Sequence, residues 1–574
     1  MPPRAQWSVA SPDESAAAAL ARDLCIQRPA ARVLWSRGYR DAGAARHFLT
    51  PTLADLHNPL LLRDMDRAVE RLLRAVESGE KILLYGDYDV DGTSSVVLLS
   101  KILETAGARF SFTVPHRLRD GYGMRPEVVE QAAADGVRLI VSVDTGIRAS
   151  AVVEHASRHA IDCIITDHHL PEEKLPPALA VLNPNREDCA YPEKNLCGAG
   201  VAFKLIQALM QRMAWPADRV RRMTESLLKM VAIATVADVV PLTGENRAMV
   251  KLGLDGLHTV KNHGLKALLA RAGLGDGQTP SAGDIGFRVA PRINAAGRMA
   301  SASDVIEMFL TGDAGRATEI AERLHELNRE RQQVEAQIVE ECLKRDVGPE
   351  EVGLVYSGPG WHKGVVGIVA SRVVERHHRP VIVLGEDPDT GLAQGSGRSI
   401  PAFHLLDALE SMSDLFLKFG GHRQAAGVTL PVERIGEFRR RFNEYARRRL
   451  TADDLTPRMR ADAPLDFREI NEEAVQQVLQ LAPFGCGNPA PQFAVHGVEV
   501  CGPPSPMGEA HLRVPARQNG RIIKMKAWRF REREDEVAAG TRIDAIVSLD
   551  EDQYSAARGY ANWCMTVKDV RPAQ

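Results

Sequence analysis

The chain has 574 residues, 44% of them hydrophobic and 26% charged, with a formal net charge of −3. That length exceeds one hydrophobic core and points to several domains, at a prior of roughly 150 residues each. The near-neutral charge excludes a polybasic protein, so nucleic-acid contact has to come from local basic patches or from bound cations.

The eight cysteines form no CxxC pair. This argues against a zinc ribbon or a disulfide scaffold and predicts a reducing, cytoplasmic setting. The N-terminus lacks the apolar core of a signal peptide. No uncharged apolar run reaches ~18 residues, so neither a membrane span nor a membrane partner is expected.

Taken in order, residues 1–65 read as a helical N-terminal extension with a break near Thr50–Pro51. Within a first lobe taken as residues 66–315, apolar runs and helical stretches alternate from about 70 to 240. Lys81–Tyr85 ends at Gly86, Ser94–Ala106 reads as a helix, and Val137–Val143 and Ile161–Thr166 are further apolar runs. Buried β-rich runs separated by helices predict a parallel α/β sheet. Arg316–Arg345 predicts a long helix, with Ile320, Leu324, Leu327, Val334 and Ile338 near helical spacing; it is either a connector between lobes, over 316–350, or a plain surface helix. A second α/β pattern covers 351–455, with strands at Val352–Tyr356 and Pro380–Leu384, a helix at Val366–Arg376 and a glycine-rich turn at Gly395–Arg398. Residues 456–574 hold short β-like runs between Gly and Pro, which predict a small barrel or sandwich. The expected class is α/β: two α/β lobes joined by a long helix, plus a C-terminal β-barrel.

Each apolar run of the first lobe ends in acidic or histidine residues: Asp87, Asp89 and Asp91, then Asp144, then Asp167, His168 and His169. Sites in parallel sheets form at the carboxyl ends of strands, so these groups are expected to converge. Crowded carboxylates repel one another unless cations sit between them. Oxygen ligands with one or two imidazoles suit Mn²⁺ or Mg²⁺, with Mn²⁺ favoured. Five or six such ligands exceed the need of one ion and predict a pair, the arrangement for in-line displacement at phosphorus. An Asp-rich turn by itself also occurs in calcium loops, but no Glu closes a twelve-residue EF-hand here.

Gly86–Gly92, Val143–Gly146 and Asp167–His169 resemble the DHH phosphoesterase superfamily. Thr235–Pro241 resembles its fourth motif, and Gly420–Gly427 the substrate motif of its DHHA1 domain. Phe287–Met299 and Pro483–Pro489 narrow the resemblance to the RecJ branch, bacterial single-strand-specific 5′→3′ exonucleases. The resemblance implies a DHH domain, a DHHA1 domain and an OB-fold in that order. It implies metal ligation by Asp89, Asp91, Asp144, His168 and Asp238, with Asp144 as the bridge. Asp87 belongs to the same motif, as ligand or as orienting group. Asp167 is expected to hold a histidine, and His169 to contact the scissile phosphate or protonate the leaving oxygen. The resemblance further implies single-stranded DNA as substrate, release of 5′-mononucleotides, and a role in repair and recombination. It implies a single-strand-binding protein and a RecQ-type helicase as partners.

For substrate grip, Arg292 and Arg298, near Asn294, are candidates for bidentate phosphate contact; the bland role is a domain-closing salt bridge. Arg117 is a phosphate candidate and Tyr122 a base-stacking one, the alternative being an ordinary loop anchored by the tyrosine. Ser396 and Arg398 suit a terminal 5′-phosphate, and Gly421 beside His422 lets backbone amides approach a phosphate. The basic strip from Arg513 to Arg533, with Trp528 and Phe530 among its cations, fits an OB-fold that tracks single strands. Three alternatives stay open: a DHH-family phosphodiesterase acting on small substrates such as short oligonucleotides, cyclic dinucleotides or pyrophosphate; a non-cutting scaffold; and RNA as the main substrate.

Overall fold

The computed structural model describes residues 4–117, 121, 123–275, 277–556, 558–559 and 561–573. Tyr122, the stacking candidate, lies outside the described residues.

The first lobe is built on five parallel strands in the order Arg109–Thr113, Lys81–Tyr85, Val137–Val143, Asp162–Thr166, Ala180–Leu182. Side chains alternate across a strand, so Ile82 and Leu84 enter one core while Leu83 and Tyr85 enter the other. The first core holds the helices Val90–Thr105 and Gly198–Arg212; the second holds Pro126–Ala134 and Ser150–Arg158. The helix expected at Ser94–Ala106 starts earlier, at Val90, inside the Asp-rich turn. Asp89 caps it: one carboxylate oxygen accepts from the amides of Asp91 and Gly92, each at 3.0 Å. The cap places Asp91 in the first helical turn.

The connecting helix runs Ala314–Leu343 and buries Ile320, Leu324 and Ile338. The second lobe carries five strands in the order Lys418–Gly421, Ala425–Pro431, Leu392–Arg398, Val381–Asp387, Leu354–Pro359; only the last pair is parallel. The turn expected at Gly395–Arg398 is instead the end of a strand. A Cβ on Gly395 would lie 2.0 Å from the Val383 carbonyl oxygen, and one on Gly397 would lie 2.4 Å from Ile382 Cδ1. These glycines mark close packing against the neighbouring strand, not a reversal of the chain.

In the C-terminal module, Gln492–Val500, Arg542–Glu551, Trp563–Pro572, Arg521–Ala527 and His511–Gln518 pair in succession. Pairing of Glu499 and Val500 with Arg517 and Ala516 joins the last strand to the first. The N-terminal residues belong physically to this module. Gln6–Val9 pairs in parallel with Arg458–Ala461, and Leu20, Val33, Leu34 and Phe48 share a core with Phe467, Phe493 and Val547. Arg37 grips Asp462 through two hydrogen bonds of 3.0 and 3.1 Å. No helix among the described residues is long and apolar enough to cross a membrane.

Leu34 is completely buried in that shared core. Leu34→Ala is expected to lower the stability of the C-terminal module by about 2–5 kcal/mol, read from urea unfolding. A loss below about 0.5 kcal/mol, the range of surface changes, would place the N-terminal helices outside the core.

Candidate metal centre and substrate cleft

The carboxyl ends of three adjacent strands meet at one point. Asp87, Asp89 and Asp91 follow Lys81–Tyr85; Asp144 follows Val137–Val143; Asp167, His168 and His169 follow Asp162–Thr166. Asp238 joins them as the C-cap of the helix Ala217–Ala237. His168 Nε2 lies 3.2 Å from Asp144 Oδ1, and 3.7 Å from both Asp91 Oδ2 and Asp238 Oδ2. Potential ligand atoms of Asp87, Asp89 and Asp144 form one group within 4.8 Å, those of Asp91, His168 and Asp238 a second, and those of Asp144, His168 and His169 a third.

The backbone is bent to make this fit. Asp144 adopts a left-handed conformation, φ 58°, while its amide still donates to the Thr166 carbonyl at 2.9 Å. Such a conformation is strained for a residue with a side chain and stays only where its surroundings hold it. Two glycines have no room for a Cβ: on Gly92 it would lie 2.6 Å from the Asp87 backbone, and on Gly198 2.6 Å from Asp144 Cβ.

Asp87 Oδ1, Asp144 Oδ1, His168 Nε2 and Asp238 Oδ2 are buried and have no hydrogen-bond partner. Buried polar atoms are otherwise almost always satisfied, so four orphans facing one point fit a cation site. The electrostatics agree. Burial, then the Asp89 charge, pushes Asp87 up to about 8. Burial, then Asp91 and Asp89, pushes Asp238 up to about 9. Burial and the surrounding carboxylates hold Asp144 well above the ordinary range, and burial raises Asp91. Burial lowers His168, which leaves a neutral imidazole with a lone pair to offer.

Asp167 has a different role. Its carboxylate accepts from the amides of Ile147, His168 and His169 and from the His169 ring at 2.8 Å. Burial opposes ionisation of both partners, but this bond prevails and raises His169 while lowering Asp167. His169 therefore holds its proton more firmly than a free histidine.

Several site residues escaped the sequence reading. Gly198 and Ala199, at a helix N-terminus, donate their amides to Asp91 at 2.5 and 2.8 Å. Asn183 donates to the His169 carbonyl and Asn185 to that of His168, at 2.8 and 2.7 Å, which fixes the two-histidine loop. A pair of asparagines two residues apart just after the strand Ala180–Leu182 was the available signal. Tyr88 lies under Arg117, whose guanidinium carbon is 5.0 Å from the ring centre; burial, then Asp87, pushes the phenol up to about 12.

The arginine candidates separate into two places. Arg298 donates to the Gly364 carbonyl of the second lobe at 2.8 Å. Burial, then Arg117, Arg331 and Arg398, brings it down to about 10. Arg398 is lowered by burial and by Arg117, and it donates to Ser396 Oγ and the Gly397 carbonyl, each at 2.8 Å. Arg117, Arg298 and Arg398 thus crowd together beside Tyr88 and Asp87, and none has a carboxylate partner among the described residues. Arg292 points elsewhere, to His325 of the connecting helix at 3.3 Å. Asn294 accepts from the Val90 amide at 3.2 Å and so braces the Asp-rich turn. Gly421 and His422 lie on an exposed hairpin, where the His422 amide donates to the Ala425 carbonyl. In the basic strip, Phe530 is buried whereas Trp528 is half exposed against His511.

Comparison with known proteins matches three family models to the chain: the DHH family N-terminal domain at 81–235, the DHHA1 domain at 351–448 and the RecJ OB domain at 461–562. The single-stranded-DNA-specific exonuclease RecJ of Bacillus subtilis (strain 168) is 34% identical over 554 residues, covering 96% of this chain and 69% of that protein. The RecJ of Dickeya dadantii (strain 3937) is 41% identical over 464 residues, covering 78% and 80%. The crystal structure of RecJ from Thermus thermophilus with Mn²⁺ superposes with a TM-score of 0.84 at 30% identity, over 100% of this chain and 80% of that one; its Mg²⁺ complex gives 0.79 at 29% identity, over 100% and 79%.

The raised carboxyls make a linked prediction. An unfolded aspartate titrates near 3.8. In the metal-free protein these groups favour the fold only while protonated, and that stability is lost as pH rises through about 8–9. Cation binding needs the carboxylates, so Mn²⁺ is expected to raise the Tm more at about pH 8.5 than at about pH 6. An equal rise at both would show that these carboxyls are already ionised at about pH 6 and are not raised.

Proposed function

The chain belongs to the RecJ family of single-stranded-DNA-specific exonucleases, and from that premise we propose that it removes 5′-mononucleotides stepwise from the 5′ end of single-stranded DNA. It is a metal-dependent nuclease that takes Mn²⁺ or Mg²⁺. The observation that carries cutting from a strand end is the group of Arg117, Arg298, Arg398 and Ser396 beside the metal centre; the 5′ direction is what the motif resemblance implies. Three guanidinium groups that have no carboxylate partner among the described residues suit a dianionic terminal phosphate better than the single charge of an internal phosphodiester. A terminal phosphate anchored there leaves the first phosphodiester to reach the carboxylate cluster.

The residues then divide the work. Asp87, Asp89, Asp91, Asp144, His168 and Asp238 would hold the cations, and Asp144 would be the shared ligand because it groups both with Asp87 and Asp89 and with His168. When bound, two divalent cations lower the pKa of an attacking water and neutralise charge on the phosphate oxygens. His169, protonated through Asp167 and 42% exposed at its side chain, is placed to donate a proton to the leaving oxygen. Arg298 spans the two lobes and fixes the distance between phosphate pocket and metal centre. Further along the strand, Arg513 and Lys524 on the outer face of the C-terminal hairpin, with Trp528, supply charge and a stacking surface. Trimming of single strands in repair and recombination in the cytoplasm, alongside a single-strand-binding protein and a RecQ-type helicase, completes the reading.

The test is a single-stranded DNA with a 5′-phosphate, an internal label and a 3′ label, beside the matching duplex, with Mn²⁺. Stepwise loss from the 5′ end of the single strand is expected, and Asp144→Ala should abolish it. Loss from the 3′ end would overturn the polarity. An intact single strand with cleavage of a dinucleotide or pyrophosphate would move the protein to small substrates. Arg398→Ala is expected to raise KM for the 5′-phosphorylated strand about 10-fold or more, the scale of one charged hydrogen bond, and to remove its advantage over a 5′-hydroxyl strand. A retained advantage would place the terminal phosphate elsewhere.

A further inference from the structure

Among the proposed metal ligands, Asp238 alone does not follow a strand of the first lobe. It ends the helix Ala217–Ala237, and the chain leaves it through Val239 at φ 60°. A β-branched residue in the left-handed region is strained and stays there only when its surroundings hold it. Val239 itself is 68% exposed, so its own side chain does not supply the hold.

The hold comes from the C-terminal module. The Leu242 amide donates to the Cys486 carbonyl at 2.7 Å. The buried Leu242 side chain packs under Gly485, where a Cβ would lie 2.8 Å from Leu242 Cδ1. Gly487, at φ 71°, packs on Pro241 and Thr243, and a Cβ there would approach them to 3.1 and 3.3 Å. From its other side the turn is fixed by Asn246, which donates to the Pro241 carbonyl at 3.2 Å.

The loop that grips this turn is itself rigid. Gly485 and Asn488 exchange backbone hydrogen bonds, and the buried Asn488 amide donates to the Leu481 and Pro483 carbonyls at 3.0 and 2.8 Å. Arg37 donates to Asn488 Oδ1 at 2.5 Å. Arg247, buried in the first lobe, donates to the Ala482 carbonyl and to that of Phe48, each at 2.8 Å, and stacks on the Phe48 ring.

We propose that the Pro483–Asn488 loop is a positioning element for Asp238, so that the C-terminal nucleic-acid module and the metal centre are energetically coupled. The proposal rests on Asp238 as a metal ligand. Coupling of this kind is reciprocal: cation binding tightens the loop contact, and the contact tightens cation binding.

The test is Mn²⁺ titration of the full metal-free chain, followed by the electron paramagnetic resonance of the free ion. Asp238→Asn is expected to weaken one step of the titration. Gly487→Ala is expected to weaken the same step by about 10-fold or more, the scale on which groups behind a ligand act, with kcat reduced and KM unchanged. The double variant should be no weaker than Asp238→Asn. A folded Gly487→Ala chain that titrates like the native one, or additive losses in the double variant, would overturn the proposal. A native titration for Asp238→Asn would instead remove the ligand assignment beneath it. The unaltered protein gives an independent reading: Mn²⁺ should slow hydrogen exchange of the Leu242 amide about 10-fold, and unchanged exchange would overturn the coupling.

Discussion

Asp87 and Asp91 from one turn, Asp144 from a neighbouring strand end and Asp238 from a helix end crowd into one buried region, and their carboxylates cannot all be charged there unaided. Two unit charges 4 Å apart still interact by roughly 4 kcal/mol at an effective dielectric near 20. Protonation relieves this in the metal-free protein: burial first, and then the neighbouring carboxylate charges, raise Asp87 to about 8 and Asp238 to about 9. Divalent cations relieve it at neutral pH without protons. The fold thus supplies a cluster that is uncomfortable alone and stable when loaded, and the chemistry of phosphodiester cleavage uses that loading.

Much of the surrounding structure keeps the cluster in place against this repulsion. Asp89 is spent partly as a helix cap, Asp91 is steadied by the amides of Gly198 and Ala199, and Asn183 and Asn185 fasten the histidine loop. Gly92 and Gly198 are absent side chains, each leaving room where a Cβ would overlap Asp87 or Asp144. Arg298 then ties the cluster's lobe to the second lobe, so the proposed phosphate pocket and the metal centre share one frame.

The strand-end motifs were legible in the sequence because local patterning encodes them: an apolar run, then Asp or His at its carboxyl end. The parallel sheet, the connecting helix and the β-rich C-terminal module were legible for the same reason. What escaped was long-range. Nothing local to Leu34 or Phe48 says that they pack with Phe493 and Val547, more than 400 residues away. The glycines of 395–397 look like a turn in sequence, yet they serve the close approach of two strands. Phe530 looks like a stacking surface but is core, and Arg292 looks like Arg298 but faces the connecting helix. The backbone donors to Asp91 carry no side-chain signature at all.

The central claim is that the carboxylate cluster exists to hold a pair of cations. Crystals soaked in Mn²⁺ and measured by anomalous diffraction at the manganese edge test it directly. The account predicts two peaks about 3.5–4 Å apart, bounded by Asp87, Asp89, Asp91, Asp144, His168 and Asp238, with the Asp144 carboxylate between them. A single peak, or peaks away from these residues at saturating Mn²⁺, would contradict it.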